Sequence, residues 1–271
     1  MTTSLNAATD RVTTDRVTPD RRPPALGGFS PAVLRIELRR VLRNRRTLAF
    51  TLIMPAFFFL VFGLPQRGQQ LPNGYAVTAY IMVSLAVYAA MVATTSIGAA
   101  VATERALGWS RQLRLTPLRP IAYVATKVVT AMGLGLIAVC VEFAVGAVAG
   151  VRLSADVWLL TGLGAWLGSL VFAAFGLFVG YLFPAENAMQ FIGPILAVLA
   201  MFGGLFVPLE VLPEVLQDVA RFTPVYGVGE LARAPLTGDG VSLSALANLV
   251  VWTALFALGA TRLFRRDTAR V

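Results

Sequence analysis

Residues 102–120, ATERALGWSRQLRLTPLRP, form a short basic segment between two long apolar stretches. The preceding stretch, 75–101, has no charged residue, and the following stretch, 121–148, has only Lys127 and Glu142. Each stretch exceeds the ~20 residues that an α-helix needs to cross a bilayer core of about 30 Å. The basic segment therefore predicts a loop between two transmembrane helices. The two apolar stretches predict that the chain is an all-α integral membrane protein.

The composition agrees with this prediction. The chain has 271 residues, of which 57% are hydrophobic and 14% charged, whereas a soluble domain has about 25% charged residues. The net charge of +9 is a value that nucleic-acid-binding proteins also reach. Here, however, the arginines cluster beside apolar stretches, so we expect membrane lipid as the partner and no nucleic acid.

Several kinds of chemistry are excluded by residue counts. The chain has no histidine and one cysteine, Cys140, which rules out an intrachain disulfide, a Cys/His zinc site and histidine acid–base catalysis. Its one lysine, Lys127, lies between Thr126 and Val128, whereas a phosphate-binding loop requires Gly-Lys-Ser/Thr. We therefore predict a chain that is not an enzyme and binds no metal or cofactor, with any ATP hydrolysis in a partner.

Six apolar stretches predict six membrane spans: 47–64, 75–101, 121–148, 157–183, 189–207 and 243–261. Pro55 predicts a kink in the first span. Three pairs of glycines four residues apart predict close helix packing within the subunit, or alternatively a dimer contact. These pairs are Gly146 and Gly150, Gly164 and Gly168, and Gly176 and Gly180.

The N-terminal region divides into two parts. Residues 1–28 are polar and predict a disordered cytoplasmic tail. Ser30 and Pro31 then predict the start of a helix, with one apolar face and one arginine stripe. The apolar face has Leu34, Leu38, Val41 and Leu42, and the stripe has Arg35, Arg39, Arg43 and Arg46. This pattern favours a helix lying in the membrane interface, and the alternative is a solvated face next to a span.

The distribution of basic residues predicts the orientation. Nineteen of the 23 lysines and arginines lie in 1–46, 103–120 and 262–271 or at Lys127. By the positive-inside rule, both termini and the loop 103–120 are then cytoplasmic, and 208–242 is outside. Helical spacing of apolar residues in 208–242, interrupted by Pro224, predicts two short re-entrant-type helices that dip into the outer leaflet.

The opening segment itself has helical character. Residues 104–115 predict one short helix, which Thr116-Pro117 ends because a residue before proline disfavours the α conformation. A rigid helix with Trp109 at its centre and arginines on its surface is suited to an acidic groove on a soluble partner. The alternative is an ordinary positive-inside loop.

Taken together, these motifs resemble a known family. The basic N-terminal helix, the six spans, the pattern Glu-Arg…Gly-Trp…Leu-x-Leu-Thr-Pro-Leu-x-Pro in 104–120 and the pattern Phe-Val-Pro-Leu-Glu…Leu-Pro in 206–213 resemble an ABC-2 type transporter permease. Within that family the chain is most similar to the drug and antibiotic export branch, in which daunorubicin-resistance-type membrane subunits fall. The resemblance covers about residues 29–265 and implies an ABC-2 type transmembrane domain over 29–271.

The resemblance implies an assembly and a set of site residues. Two permease subunits, as a homodimer or a heterodimer, would combine with two ATPase subunits that bind ATP and Mg²⁺. The loop after the second span would be the coupling helix, with Glu104, Arg105, Trp109, Gln112 and Arg114 facing the ATPase. The N-terminal helix, with Arg35, Arg39 and Arg43, would help to clamp it. Pathway candidates are Phe57, Phe58, Phe62, Phe202 and Phe206, for which ordinary packing or lipid contact is the alternative.

The expected function is therefore the permease subunit of an exporter in the cell membrane for an amphipathic drug, antibiotic or lipid. The alternative within the family is export of polysaccharide or teichoic-acid precursors. A different class, ion-coupled secondary transport, predicts ion-binding polar residues in mid-membrane and paired broken helices. Glu142 is the one acid deep within a span. It has either a role in proton or substrate binding or no such role, as a neutral, hydrogen-bonded or snorkelling carboxyl.

The six-span topology makes the first prediction. In a Cys140→Ala background, Gly108→Cys and Asp239→Cys should react with a membrane-impermeant thiol reagent from opposite sides of the membrane. Labelling in intact cells and in inverted vesicles measures this. Reaction of both cysteines from the same side would contradict the six-span topology.

Overall fold

The computed structural model describes residues 29–71, 74, 76–108, 120–238 and 240–269. We number its helices α1 to α10 in chain order. They are α1 (Pro31–Arg43), α2 (the helical run 45–66), α3 (Val77–Ala106), α4 (Pro120–Val148), α5 (Ala155–Gly168), α6 (Leu170–Leu182), α7 (Ala185–Phe202), α8 (Glu214–Arg221), α9 (Pro224–Thr237) and α10 (Leu243–Ala269).

Six helical segments of the described chain are long and apolar enough to cross a membrane, which confirms the predicted number of spans. They are α2, α3, α4, the pair α5–α6, α7 and α10. The fifth begins at Ala185, directly after Pro184, and ends before Gly203, so the predicted 189–207 is too late at both ends. The sixth continues to Asp267, because the arginine-rich residues after 261 remain helical.

The first span is irregular around its proline. Two wide π-helical turns, Ala49–Ile53 and Phe59–Gly63, flank the α-helical segment Met54–Phe58. Pro55 has no N–H, so the carbonyl of Thr51 four residues earlier lacks its usual donor. The kink expected at Pro55 thus corresponds to a region of widened turns.

Helix α3 lies at the centre of the bundle. Most of its residues are buried, among them Met82, Val83, Val87 and Met91, and it packs most extensively against α6 and α4. The first, fifth and sixth spans are mostly exposed in the single subunit. Those three spans therefore provide the surface available to lipid or to another subunit.

Glycines determine the closest helix crossing in the bundle. A Cβ added to Gly98 of α3 would lie 2.5 Å from the backbone nitrogen of Leu177 in α6, and one added to Gly180 would lie 2.6 Å from the carbonyl oxygen of Gly98. Gly176 faces the backbone of Thr95 just as closely. The backbones of α3 and α6 are therefore in direct contact, which confirms packing within the subunit for the pair Gly176 and Gly180.

The segment between the fifth and sixth spans contains the two short helices that the sequence predicts. Helix α8 begins at Glu214, and α9 begins at Pro224 and extends to Thr237. Helix α9 is buried among α5, α10 and α3. Gly164 and Gly168 of α5 lie against Ala232 and Val228 of α9. This second glycine pair therefore also packs within the subunit, against a helix inserted between the spans.

The glycine crossing generates a stability prediction. Gly98→Ala should destabilise the purified protein by about 1–3 kcal/mol, because the new methyl group forces α3 and α6 apart. Thermal unfolding in detergent measures the change. The matched control is Gly193→Ala on α7, where an added Cβ meets no atom within 4 Å, so stability should stay equal or rise slightly. Equal stability of the two variants would contradict the backbone contact.

Candidate functional site

Helix α1 has the start and the two faces that its sequence predicts. The Ser30 hydroxyl accepts a hydrogen bond from the backbone nitrogen of Ala32 at 3.2 Å, and Pro31 occupies the first turn. Val41 is buried, and the arginine side chains Arg35, Arg39 and Arg43 are exposed. Leu42 is 40% exposed, which is compatible with an apolar face that contacts lipid. Helix α1 packs along α4.

Five side chains from three helices form an ionic group, which we call the Glu104 cluster: Glu37, Arg40, Glu104, Tyr123 and Lys127. Glu104, Tyr123 and Lys127 are buried, whereas Glu37 is partly buried and Arg40 is exposed. The Lys127 ammonium donates to Glu37 and to Glu104, at 2.5 Å in each case. Arg40 donates to Glu37 at 2.8 Å and also to Glu104, and the Tyr123 hydroxyl donates to the other oxygen of Glu104. The cluster joins α1, the end of α3 and the start of α4.

The charges of the Glu104 cluster balance as two carboxylates against two cations. Lys127 is 2% exposed and Glu104 is 7% exposed, so removing one partner would leave a buried charge uncompensated. Partial burial lowers the pKa of Arg40, but its hydrogen bond to Glu104 and the negative charges of Glu104 and Glu37 outweigh this and raise the pKa. Arg40 therefore stays charged, and α1 remains fixed to α3.

A second ionic group lies at the same end of the bundle, and we call it the Arg105 cluster: Arg105, Asp267 and the carbonyls of Gly180 and Tyr181. The Arg105 guanidinium makes two bonds to Asp267, at 3.1 and 2.7 Å. It also donates to the carbonyl oxygens of Gly180 and Tyr181, both at 3.1 Å. Arginine can satisfy the free carbonyls at a helix C-terminus in this way. The cluster joins α3 to α6 and α10.

The structure corrects the predicted start of the loop helix. Glu104 and Arg105 do not begin a separate helix, because they belong to the last turn of α3, which ends at Ala106. Gly108 follows in the left-handed conformation with φ +74°. Both charged side chains bind residues of their own chain. Trp109, Gln112 and Arg114 lie outside the described residues.

The two clusters hold both ends of the segment 109–119. Glu104 and Arg105 precede the segment, and Tyr123 and Lys127 follow it. The residues that precede the segment are therefore bonded to α1, α6 and α10. Sequence reasoning missed Glu37, Arg40, Tyr123, Lys127 and Asp267 as site residues. An available signal was the single lysine inside an apolar span, because intramembrane charges have partners as a rule.

The predicted pathway phenylalanines lie at the subunit surface. Phe57 and Phe62 are 52% and 59% exposed, and Phe58, which is half-buried, lies between their rings with centroid distances of 6.2 and 6.0 Å. Phe202 and Phe206 are 36% and 40% exposed. The structure brings the three residues of α2 together, and their role in a pathway stays a prediction.

A buried arginine on α9 was missed, because the sequence placed it among the outside residues. Arg233 is 5% exposed, and its guanidinium lies over the Tyr80 ring of α3 at 4.9 Å from the ring centroid. It donates to Ser84 and to the carbonyl oxygen of Gly204, each at 3.4 Å. The Tyr80 hydroxyl also donates to Gly204, at 2.9 Å. Arg233 thus fixes α9 to α3 and to the turn after α7.

Glu142 is buried on α4. It is 1% exposed, and neither carboxyl oxygen has a hydrogen-bond partner among the residues that the structure describes. A snorkelling carboxyl is therefore wrong, since the side chain does not reach the surface. The expected hydrogen-bonded carboxyl has no partner among the described residues either, and a proton or substrate role stays a prediction.

Comparisons with known proteins support the resemblance seen in the sequence. The pattern of the ABC-2 type transporter family matches residues 31–236. The chain is also similar to a protein of Bacillus subtilis (strain 168) named as the transport permease YvfS. The two are 28% identical over 235 residues, which cover 86% of this chain and 96% of the Bacillus protein. The family match therefore includes α1, the Glu104 cluster and the first five spans.

The Glu104 cluster predicts a large effect for the loss of its lysine. Lys127→Met should destabilise the purified protein by about 3–5 kcal/mol, because the buried Glu104 and the partly buried Glu37 would share one cation, Arg40. The thermal unfolding midpoint in detergent measures the loss. Adding Glu104→Gln to this variant should recover part of it, since one uncompensated charge is removed.

A matched control for Lys127→Met is Arg221→Gln. Arg221 pairs with Asp218 at 3.4 Å on the surface, where the two side chains are 61% and 71% exposed, and such pairs contribute about 0–1 kcal/mol. If the unfolding midpoint of Lys127→Met equals that of the wild type or of the Arg221→Gln control, the cluster adds nothing to stability.

Proposed function

Because the chain belongs to the ABC-2 type transporter family, we propose that it is the membrane-spanning subunit of an ATP-driven exporter in the cell membrane. A second permease subunit, identical or paralogous, and two ATPase subunits complete the assembly. ATP and Mg²⁺ bind to the ATPase subunits. The observation that carries the proposal is that residues on either side of 109–119 belong to two ion clusters, which connect the end of α3 to α1, α4, α6 and α10.

The orientation follows from the distribution of charge. The cytoplasmic side has both termini, α1 and the segment 109–119. Helices α8 and α9 lie on the outer side of the membrane. The excess of arginine in 1–46, 103–120 and 262–271 supports this orientation. The ATPase then approaches the end of the bundle that carries the Glu104 and Arg105 clusters.

The coupling proceeds through α3. A push on the segment 109–119 moves the end of α3, and α6 moves with α3 because their backbones are in contact at Gly98 and Gly176. At the other end, Arg233 attaches α9 to Tyr80 and Ser84 of α3. Helix α3 thus connects the ATPase side to the inserted helix α9 as one rigid element. A closely packed helix transmits displacement because protein interiors deform little.

The proposed cargo is an amphipathic drug, antibiotic or lipid. The aromatic side chains Phe57, Phe58 and Phe62 on α2, together with Phe202 and Phe206 near the end of α7, offer it apolar surface. Their exposure in the single subunit supports a position between two subunits. The motifs in 104–120 and 206–213 resemble those of the drug-export branch, and this resemblance supports such a cargo.

Glu142 has a structural role in this proposal. An ionised carboxyl without a partner is strongly disfavoured in a low-dielectric interior, so the side chain is neutral and serves as a packing residue of α4. No ion-coupled step uses it, and ATP supplies the energy.

The segment 109–119 carries the test of this function. Trp109→Ala keeps the charge of the loop but removes a large, rigid contact surface. Loss of a buried interface tryptophan costs ~2 kcal/mol or more, which is roughly thirtyfold in affinity. We expect normal membrane expression, weaker retention of the ATPase in a pull-down and loss of transport driven by ATP hydrolysis.

Arg119→Gln is the matched control, because Arg119 follows the predicted end of the loop helix at Thr116-Pro117. It changes the loop charge and should retain most ATPase binding and transport. Wild-type behaviour of Trp109→Ala in both assays, at equal expression, would reduce the segment to a topological signal and would remove the basis for a coupling role.

A further inference from the structure

A cavity of about 480 Å³ lies between α1, the start of α2 and the last turns of α3. This volume falls within the range of about 300–1,000 Å³ that is typical of small-molecule sites. The cavity has a polar part, to which Arg43, Asn44 and Thr47 contribute, and an apolar part formed by Val41, Ile97 and Ala100. It is thus shaped for a molecule with one charged end and one apolar end.

The charge of the cavity selects the charged end of that molecule. The Glu104 cluster lines one side of the cavity with Glu37, Arg40 and Glu104, but Arg40 and Lys127 neutralise its two carboxylates. Arg43 remains as uncompensated positive charge, since it forms no ion pair or hydrogen bond with any residue in the described part of the chain. A guanidinium in this position favours a phosphate group, which it can bind through two parallel hydrogen bonds.

The depth of the cavity fits a lipid. Ala100 lies six residues before the end of α3 at Ala106, which is about 9 Å along a helix that rises 1.5 Å per residue. One leaflet contributes roughly 15 Å of the hydrocarbon core. With the end of α3 at the edge of the hydrocarbon core, Ala100 lies within the acyl-chain layer of that leaflet, and the basic face of α1 lies near the headgroups.

We propose that this cavity is a specific binding site for an anionic phospholipid of the leaflet that contains α1, with the lipid phosphate on Arg43 and an acyl chain against Val41, Ile97 and Ala100. Basic pockets between transmembrane helices bind acidic lipid headgroups by the same physics. The bound lipid fills the space between α1 and α3 beside the Glu104 cluster. The site goes beyond the proposed export function and does not depend on it, because binding can be measured on the permease alone.

Native mass spectrometry of the purified permease tests the site. The protein is exchanged into detergent containing equal amounts of phosphatidylglycerol and phosphatidylcholine, and the lipid adducts are counted. The wild type should retain one phosphatidylglycerol in preference to phosphatidylcholine. Arg43→Gln should lower that retention about fivefold, the effect of one phosphate contact of ~1 kcal/mol. Ala100→Leu, which fills the apolar part, should lower retention of both lipids.

The matched control is Arg39→Gln, because Arg39 is an exposed arginine of α1 that does not line the cavity. It should retain phosphatidylglycerol as the wild type does. Equal losses in Arg39→Gln and Arg43→Gln, or unchanged retention in Ala100→Leu, would show attraction to a basic surface only and would overturn the site. A further arm adds inorganic phosphate, and displacement of the lipid at millimolar concentration would indicate a site for a free anion instead.

Thermal unfolding of each variant separates loss of the site from loss of the fold. If Ala100→Leu does not fold, Ala100→Val provides the same steric test with a smaller side chain. The proposal would also be overturned if both single variants, Ala100→Val and Arg43→Gln, fold and retain phosphatidylglycerol as the wild type does.

Discussion

The backbone contact between α3 and α6 is the constraint on which the rest of the bundle depends. It requires the absence of a side chain at Gly98, Gly176 and Gly180. In a membrane, apolar side chains gain little from burial against each other, because lipid tails are equally apolar, so close van der Waals packing provides the association energy. The remaining spans arrange around this pair, with α4 and α9 against α3, and α10 against α6.

The ionic groups use this rigid pair as their base. Arg105 reaches from the end of α3 to the carbonyls that end α6 and to Asp267 of α10. Glu104 extends the connection to α1 and α4. Charged groups at this depth are costly without partners, and here each is paired across two helices. Their contribution is therefore geometric, because they fix the end of α3 and the start of α4 relative to α1, α6 and α10.

The sequence predicted those features that depend on local patterns. Hydropathy gave the six spans, Ser30-Pro31 gave the start of α1, and the spacing of glycines gave two of the close packing contacts.

The start of the loop helix was predicted wrongly, because helical propensity is continuous from α3 through Glu104 and Arg105 and does not show where the membrane helix ends. The single lysine in a span indicated that it has partners, but their identity could not be predicted, since Glu37 is 90 residues away in sequence. The same holds for the insertion of α9, which is decided by Gly164 and Gly168 on a distant helix.

The placement of the single lysine also has a consequence for the reactivity of the protein. Lys127 is the one side-chain amine of the chain, and it is 2% exposed and held by two carboxylates. All other side-chain cations are guanidinium groups, which stay protonated and therefore do not act as nucleophiles. Acylating or aldehyde-bearing compounds thus find no accessible side-chain amine on the folded described surface.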